Sequence, residues 1–328
     1  MTGPAKGRRR GRIPVPETPE ALRSLVADGL AVPAPPILSV LVARLRARFG
    51  ESLAAVLLYG STLHHDDPTD GLVDLYAVVD SYPAAYRERR LRIFNALLPP
   101  NVFYVEAPGK GATLRAKYAV LSLEDLEQGT TRWFHSYLWA RFAQPARLLY
   151  ARAEADRHRI EGALAGAVVT FLRAGVPSLG PGEVSAQQIW RRALTLSYAA
   201  ELRAERDRAA HLSEIYRTDY ERLTAAAAPA LEGLLVTLPG GWYRCAATEG
   251  MRRRSLGRWR LRRFQGRLLS VLRLAKAVFT FENGADYLAW KIERHTGVHI
   301  EVTPRLRRHP ILLSPPVLWR LLRRGAVR

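Results

Sequence analysis

The sequence predicts an α+β protein: a small mixed sheet with flanking helices, followed by a mainly α-helical part and a basic C-terminal region. Three observations carry this. Two continuous apolar runs, 53–59 and 73–79, are short and bounded by turn residues, so they read as buried strands. Two further β-rich segments, 102–107 and 117–121, follow after one helical stretch. From Leu123 onward the pattern turns helical.

Taken in order, residues 18–28 and 36–49 place apolar side chains at helical spacing, with Leu38, Leu41, Val42 and Leu45 on one face. The run 53–59 closes on Gly60-Ser61, a tight turn. The run 73–79 (VDLYAVV) is β-branched and aromatic and stops at Asp80-Ser81 and Pro83. A basic helix is expected over 85–98, and the turn Pro108-Gly109-Lys110-Gly111 separates the next two strands. Helices are then expected over 123–130, 133–143, 153–174, 185–205 and 209–224, and Pro239-Gly240-Gly241 marks a break. The expected organisation is a disordered basic tail over 1–17, an α/β domain over 18–130, a helical domain over 131–238 and a basic region over 239–328. No internal repeat is present.

The 328 residues are 48% hydrophobic, enough to bury a sizeable core. Lys and Arg number 50 against 30 Asp and Glu, a formal charge of +20, so the surface attracts polyanions. Nucleic acid, an anionic membrane and a phosphorylated substrate all meet that demand. Cys245 is the single cysteine, which excludes an internal disulfide and a multi-cysteine zinc site and fits a reducing compartment. It reads as a small packing residue. No uninterrupted apolar stretch reaches the roughly 18 residues of a membrane span, and residues 1–15 lack the apolar core of a secretory signal.

The chemistry-bearing segment is LLYGSTLHHDDPTDGLVDLYAVVD, a strand, a Gly-Ser turn, a polar excursion and an acid opening a second strand. Glycine lets backbone amides approach phosphate, the Ser61 hydroxyl adds a donor, and the Asp74 carboxylate suits Mg²⁺. Together they point to nucleotidyl transfer. The two-strand nucleotidyltransferase signature carries two acids separated by one residue, whereas here Tyr76 follows Asp74 at that spacing. Candidates for the second carboxylate are Asp70, Asp80, Glu106 and Glu201; Asp66 and Asp67 read as solvated loop charges, and the adjacent His64-His65 pair as surface residues.

Six blocks in order then resemble the mitochondrial phosphatidate cytidylyltransferases of the translocator-assembly-and-maintenance type. They are LYGS at 58–61, VDLYAVVD at 73–80, NVFYVEA at 101–107, KYAVLSLEDLE at 117–127, SYLWARFAQPARLL at 136–149 and SYAAELRAE at 197–205. The likeness covers about 53–223. It implies a nucleotidyltransferase-like sheet, CTP and phosphatidic acid as substrates, Mg²⁺ as cofactor, and CDP-diacylglycerol and pyrophosphate as products. It also implies Gly60 and Ser61 on the triphosphate, Asp74 on Mg²⁺, Lys117 near phosphate, and Glu201 with Arg203 completing the site, Glu201 as a further metal ligand. Thr62 stands where the family has a second glycine, and Glu201 where it has an aspartate; Tyr198 reads as core. The implied location is cytoplasmic, peripheral to the inner face of a membrane. Transfer to another acceptor (RNA, a protein or a small molecule) and a non-catalytic RNA- or membrane-binding module are the alternatives.

The arginine-rich segment 252–267, with Trp259 and Phe264 interleaved, and the C-terminal PVLWRLLRR at 316–324 resemble elements that dock on anionic bilayers. The same interleaving also suits single-stranded nucleic acid.

Overall fold

The computed structural model describes residues 18–280 except 65–67, 69–70, 110–112 and 202–207. The expected tail over 1–17, Asp70, Arg203 and the segment 316–324 therefore lie outside the described residues. The fold is α+β. Strands β1 (Leu53–Tyr59), β2 (Val73–Val79), β3 (Asn101–Pro108), β4 (Thr113–Ser122) and β5 (Arg147–Ala151) form a mixed sheet in the order β3-β4-β2-β1-β5. Only the β2–β4 pair is parallel.

Helices α1 (Glu20–Ala31) and α2 (Ser39–Phe49) precede the sheet, and α3 (Tyr82–Ala85) and α4 (Arg89–Leu97) join β2 to β3. Between β4 and β5 lie α5 (Leu123–Thr131) and α6 (Trp139–Phe142). Then come α7 (Glu154–Gly175), α8 (Ala186–Ala200), α9 (Arg208–Ile215), α10 (Arg217–Ala227) and α11 (Glu249–Thr280). A second sheet, absent from the sequence reading, pairs β6 (Gly182–Ser185), β7 (Leu235–Thr237) and β8 (Trp242–Cys245) in the order β6-β8-β7. Cys245 is buried there, as a packing residue should be.

Both faces of the five-stranded sheet are covered, which is why its central strands are apolar throughout rather than alternating. Leu57, Tyr76, Val78 and Leu121 enter one core with α5, α6, α7 and α8. Val56, Leu58, Leu75, Ala77 and Val120, the intervening positions, enter the other core with α2 and α4. The first core runs without interruption from Leu22 through Tyr76 to Trp190 and Trp259. Its centre is α7, long and apolar enough to cross a membrane by length and composition, yet 67% of that apolar window is buried inside the protein, as in a core helix. Beside it Trp190 stacks on Tyr220 at 3.9 Å, and the indole Nε1 donates to Thr224 Oγ1 at 2.9 Å.

Three expected elements differ. The helix expected over 133–143 is an irregular segment ending in the four residues of α6, because Thr130 and Thr131 turn their hydroxyls back on the carbonyls of Leu126 and Glu127 as α5 ends. The expected helix 185–205 starts at Ala186, where Ser185 and Gln188 form a capping box, and ends at Ala200. The segment 252–267 lies within the 32-residue α11, but Trp259 is not an interfacial aromatic: it is 3% exposed and donates to Ala174 O at 3.0 Å. Arg262 is buried beside it, donates to Phe134 O at 2.9 Å and lies over the rings of Phe134, Trp139 and Trp259. Burial, helped by Arg258, pushes its guanidinium down to about 10.

In the irregular segment, His135 packs on Trp133, and its buried Nδ1 has no hydrogen-bond partner. Burial, with repulsion from Arg273, pushes its pKa down to about 4. The unfolded chain, with an ordinary histidine near ~6.5, then binds more protons between about pH 4 and 6.5, so this group makes stability fall as the pH drops through that window. Thermal melts of wild type and His135→Gln should show a difference that is constant above pH 6.5 and shifts against the wild type below it.

Candidate functional site

Strand pairing alone assembles the predicted residues. The antiparallel register of β1 and β2 sets Tyr59 opposite Asp74, and the parallel register of β2 and β4 sets Asp74 beside Lys117. Gly60 and Ser61 continue β1 into a 3₁₀ turn over 61–64 that folds back beside Asp74. Lys117 Nζ lies 2.9 Å from Asp74 Oδ1. This is ion-pair distance without hydrogen-bond alignment, and Oδ1 is buried with no aligned donor.

Gly60 is required on two counts. Its φ of +86° is left-handed backbone, and a Cβ there would stand 3.0 Å from Asp74 Oδ2. Gly60→Ala should therefore cost about 1–2 kcal/mol of stability and push the Asp74 carboxylate aside. Chemical denaturation checks the first effect, and a crystal structure of the variant checks the second.

These residues line one side of a cleft of about 490 Å³. The floor is Tyr59, Gly60, Ser61, Asp74 and Lys117; the facing wall is Arg141, Gln144, Tyr198, Arg208 and Tyr216 from the helical part. Tyr198, expected in the core, is half-buried in this wall, and its hydroxyl donates to Gln144 Oε1 at 3.4 Å. Among the described lining residues the charged ones are Lys117, Arg141, Arg208 and the Asp74 carboxylate, a set that favours anions.

The sequence reading missed Gln144, Arg208 and Tyr216 of this wall, and above all Arg141. It donates to the Tyr76 hydroxyl at 3.1 Å, to Tyr137 at 3.4 Å and to Glu201 Oε2 at 3.4 Å, and lies over the rings of Tyr59 and Tyr137. The place of a second carboxylate in the two-acid signature is thus taken by a phenol hydrogen-bonded to a buried cation. Burial raises the Tyr76 phenol well above its usual range. Burial opposes charge on Arg141 too, but the surrounding phenols and Glu201 outweigh it and hold the guanidinium firmly protonated. On Tyr137, burial acts upward, but Arg141 and Arg273, the latter 4.0 Å over the ring, outweigh it and lower its pKa. Tyr59 is pushed up to about 12, by burial first and the Asp74 charge second.

None of the described candidates for a second acid lines the cleft. Asp80, at the far end of β2, is held by Arg152 at 2.7 and 2.8 Å. Glu106 accepts from Tyr104 at 2.7 Å and pairs with Arg115 at 3.3 Å. Glu201 stands behind Arg141. Among the described residues no group of three or more His, Cys, Asp or Glu side chains is placed to hold a metal. No protein-family model matches the chain, and no curated protein matches it either.

Proposed function

We propose that the chain is a Mg²⁺-dependent CTP:phosphatidate cytidylyltransferase, forming CDP-diacylglycerol and pyrophosphate at the cytoplasmic face of a membrane. The observation that carries this reading is the convergence of Gly60-Ser61, Asp74 and Lys117 on one cationic cleft. A single carboxylate fits Mg²⁺, which takes one or two carboxylates and completes its shell with phosphate oxygens and water. Asp74 would hold the ion, and its buried Oδ1, without an aligned donor, is the oxygen available for it. The ion supplies charge neutralisation on the triphosphate.

The chain's own residues would do the positioning. The Ser61 hydroxyl and the backbone after Gly60 take phosphate oxygens, and Lys117 exchanges Asp74 for phosphate as the nucleotide enters. Arg208 offers a second cation from the opposite wall, and Arg141 keeps the rear of the cleft positive. An oxygen of the lipid phosphate attacks the α-phosphorus of CTP in line; that P–O bond forms as the α–β P–O bond breaks, and pyrophosphate leaves with the electron pair. A phosphate monoester has its second pKa near ~6, so the nucleophile is already ionised and no general base is needed. Glu201 in this reading fixes Arg141 rather than a metal.

One observation favours the non-catalytic alternative, namely Tyr76 and Arg141 standing where a second metal-binding acid would be. A single assay separates the readings. Purified protein with Mg²⁺, each NTP in turn and phosphatidic acid vesicles should release pyrophosphate with CTP only, and only when the lipid is present. Lipid-independent release into another acceptor would support the rival transferase, and absence of Mg²⁺-dependent CTP binding would support the non-catalytic module.

A further inference from the structure

Across Gln144 and Pro145 from the cleft lies a second cavity of about 210 Å³, bounded by α1, α7, α10 and the chain that leads from α6 into β5. Leu25, Leu30, Phe142, Leu164, Val168 and Leu223 make it apolar. The short side chains of Ala143, Pro145 and Ala146 leave the space unfilled. Its mouth is at the surface, where Asp28, Asp219 and Arg222 are exposed. Arg147 is half-buried in the lining. Its Nη1 donates to Gly29 O and Ala146 O, both at 3.1 Å, while its Nε and Nη2 have no hydrogen-bond partner among the described residues. Neither Arg147 nor Arg222 forms an ion pair among those residues.

We infer that this cavity is a second ligand site, taking an aliphatic monocarboxylate of about eight carbons with its chain inside and its carboxylate on the free edge of Arg147. Size sets the chain. An apolar cavity of about 150 Å³ holds benzene, so one of about 210 Å³ suits a ligand roughly a third larger. Charge sets the head. The Nε and Nη2 edge of a guanidinium matches a carboxylate through two parallel hydrogen bonds. Arg222 adds a second cation at the mouth, and the net charge of +20 draws anions toward it. Asp28 and Asp219 are exposed, so water and salt screen them, whereas Arg147 acts from a partly dehydrated position. The site goes beyond the proposed transferase and needs neither nucleotide nor lipid. Gln144 and Pro145 line the cavity on one side and the cleft on the other, and Gln144 holds the Tyr198 hydroxyl in the cleft wall, so an occupant braces that wall from behind.

Calorimetric titration of the full chain with octanoate, without nucleotide or Mg²⁺, should show one saturable site with a Kd of about 1 mM or tighter, the range open to a ligand of that size. Octylamine should bind about tenfold more weakly or not at all, because it sets a cation against Arg147. Arg147→Gln should weaken octanoate by about tenfold or more, the worth of a lost charge-assisted hydrogen bond, and leave binding of octanol unchanged. Leu223→Trp fills the cavity from a half-buried position and should abolish binding of both. In NMR spectra octanoate should shift the side-chain amide of Gln144 in the wild type and not in Leu223→Trp. Circular dichroism should show the wild-type fold for both variants, and if Arg147→Gln unfolds, Leu223→Trp decides. Absence of saturable octanoate binding overturns the inference, as does undiminished binding by the folded variants. So does a preference for octylamine, which would make Asp28 and Asp219 the recognising groups. Cross-peaks from Ile13 or Val15 to the Phe142 ring would overturn it too, by making the chain's own N-terminal residues the occupant.

Discussion

Replacing Asp74 with Asn is expected to leave the fold and melting temperature close to wild type while lowering CTP-dependent pyrophosphate release by about a thousandfold or more. The side chains have the same shape, and Asp74 is partly exposed at a strand end, so the sheet is not disturbed. What disappears is the only carboxylate among the described lining residues of the cleft, and with it the oxygen proposed to hold the metal and an ion pair to Lys117. Asp80→Asn is the matching control. It removes a carboxylate six positions along the same strand region, where Arg152 holds it, and should affect stability more than turnover. Retention of most activity by Asp74→Asn would place the metal elsewhere in the chain.

The largest effect on stability is expected at Arg141. Its guanidinium serves Tyr76, Tyr137 and Glu201 at once, with little contact to water. Arg141→Met would leave a carboxylate and two phenols buried without their cation, and removing one partner of a buried pair costs about 3–5 kcal/mol. A fall of roughly 4–7 °C in the melting temperature follows for a chain of this size. Arg141→Lys keeps the charge but not the planar fork, so it should recover only part of the loss. Adding Glu201→Gln to Arg141→Met should restore some stability, because the stranded charge is then gone. A melt unchanged by Arg141→Met would mean that the cluster is not a stabilising unit.

The floor of the cleft was legible because it is local. Strands β1 and β2 run over the residues expected from their apolar runs, since both faces of each are buried and the turns at Gly60 and Asp80 bound them. The wall was not legible. Arg141 lies 65 positions from Tyr76 and 60 from Glu201, and one arginine in a chain this rich in arginine carries no local signal. Strand β5 was missed because its apolar run, Leu148-Leu149-Tyr150-Ala151, is too short for periodicity to tell strand from helix. The strands of the second sheet span three or four residues, too few for periodicity to register. In α11 the composition announced a cationic aromatic helix but not its rotation: Trp259, the aromatic most suggestive of an interface, faces inward, and Phe264 faces out.

The cleft's two sides also belong to different moments of synthesis. Its floor is complete once Lys117 has been made, whereas the wall waits for Arg208 and Tyr216. At roughly 5–20 residues per second, translation of the intervening hundred or so residues takes about 5–20 s. Tyr59 and Tyr76 gain their packing partners Arg141 and Phe142 early in that interval, before the rest of the wall exists.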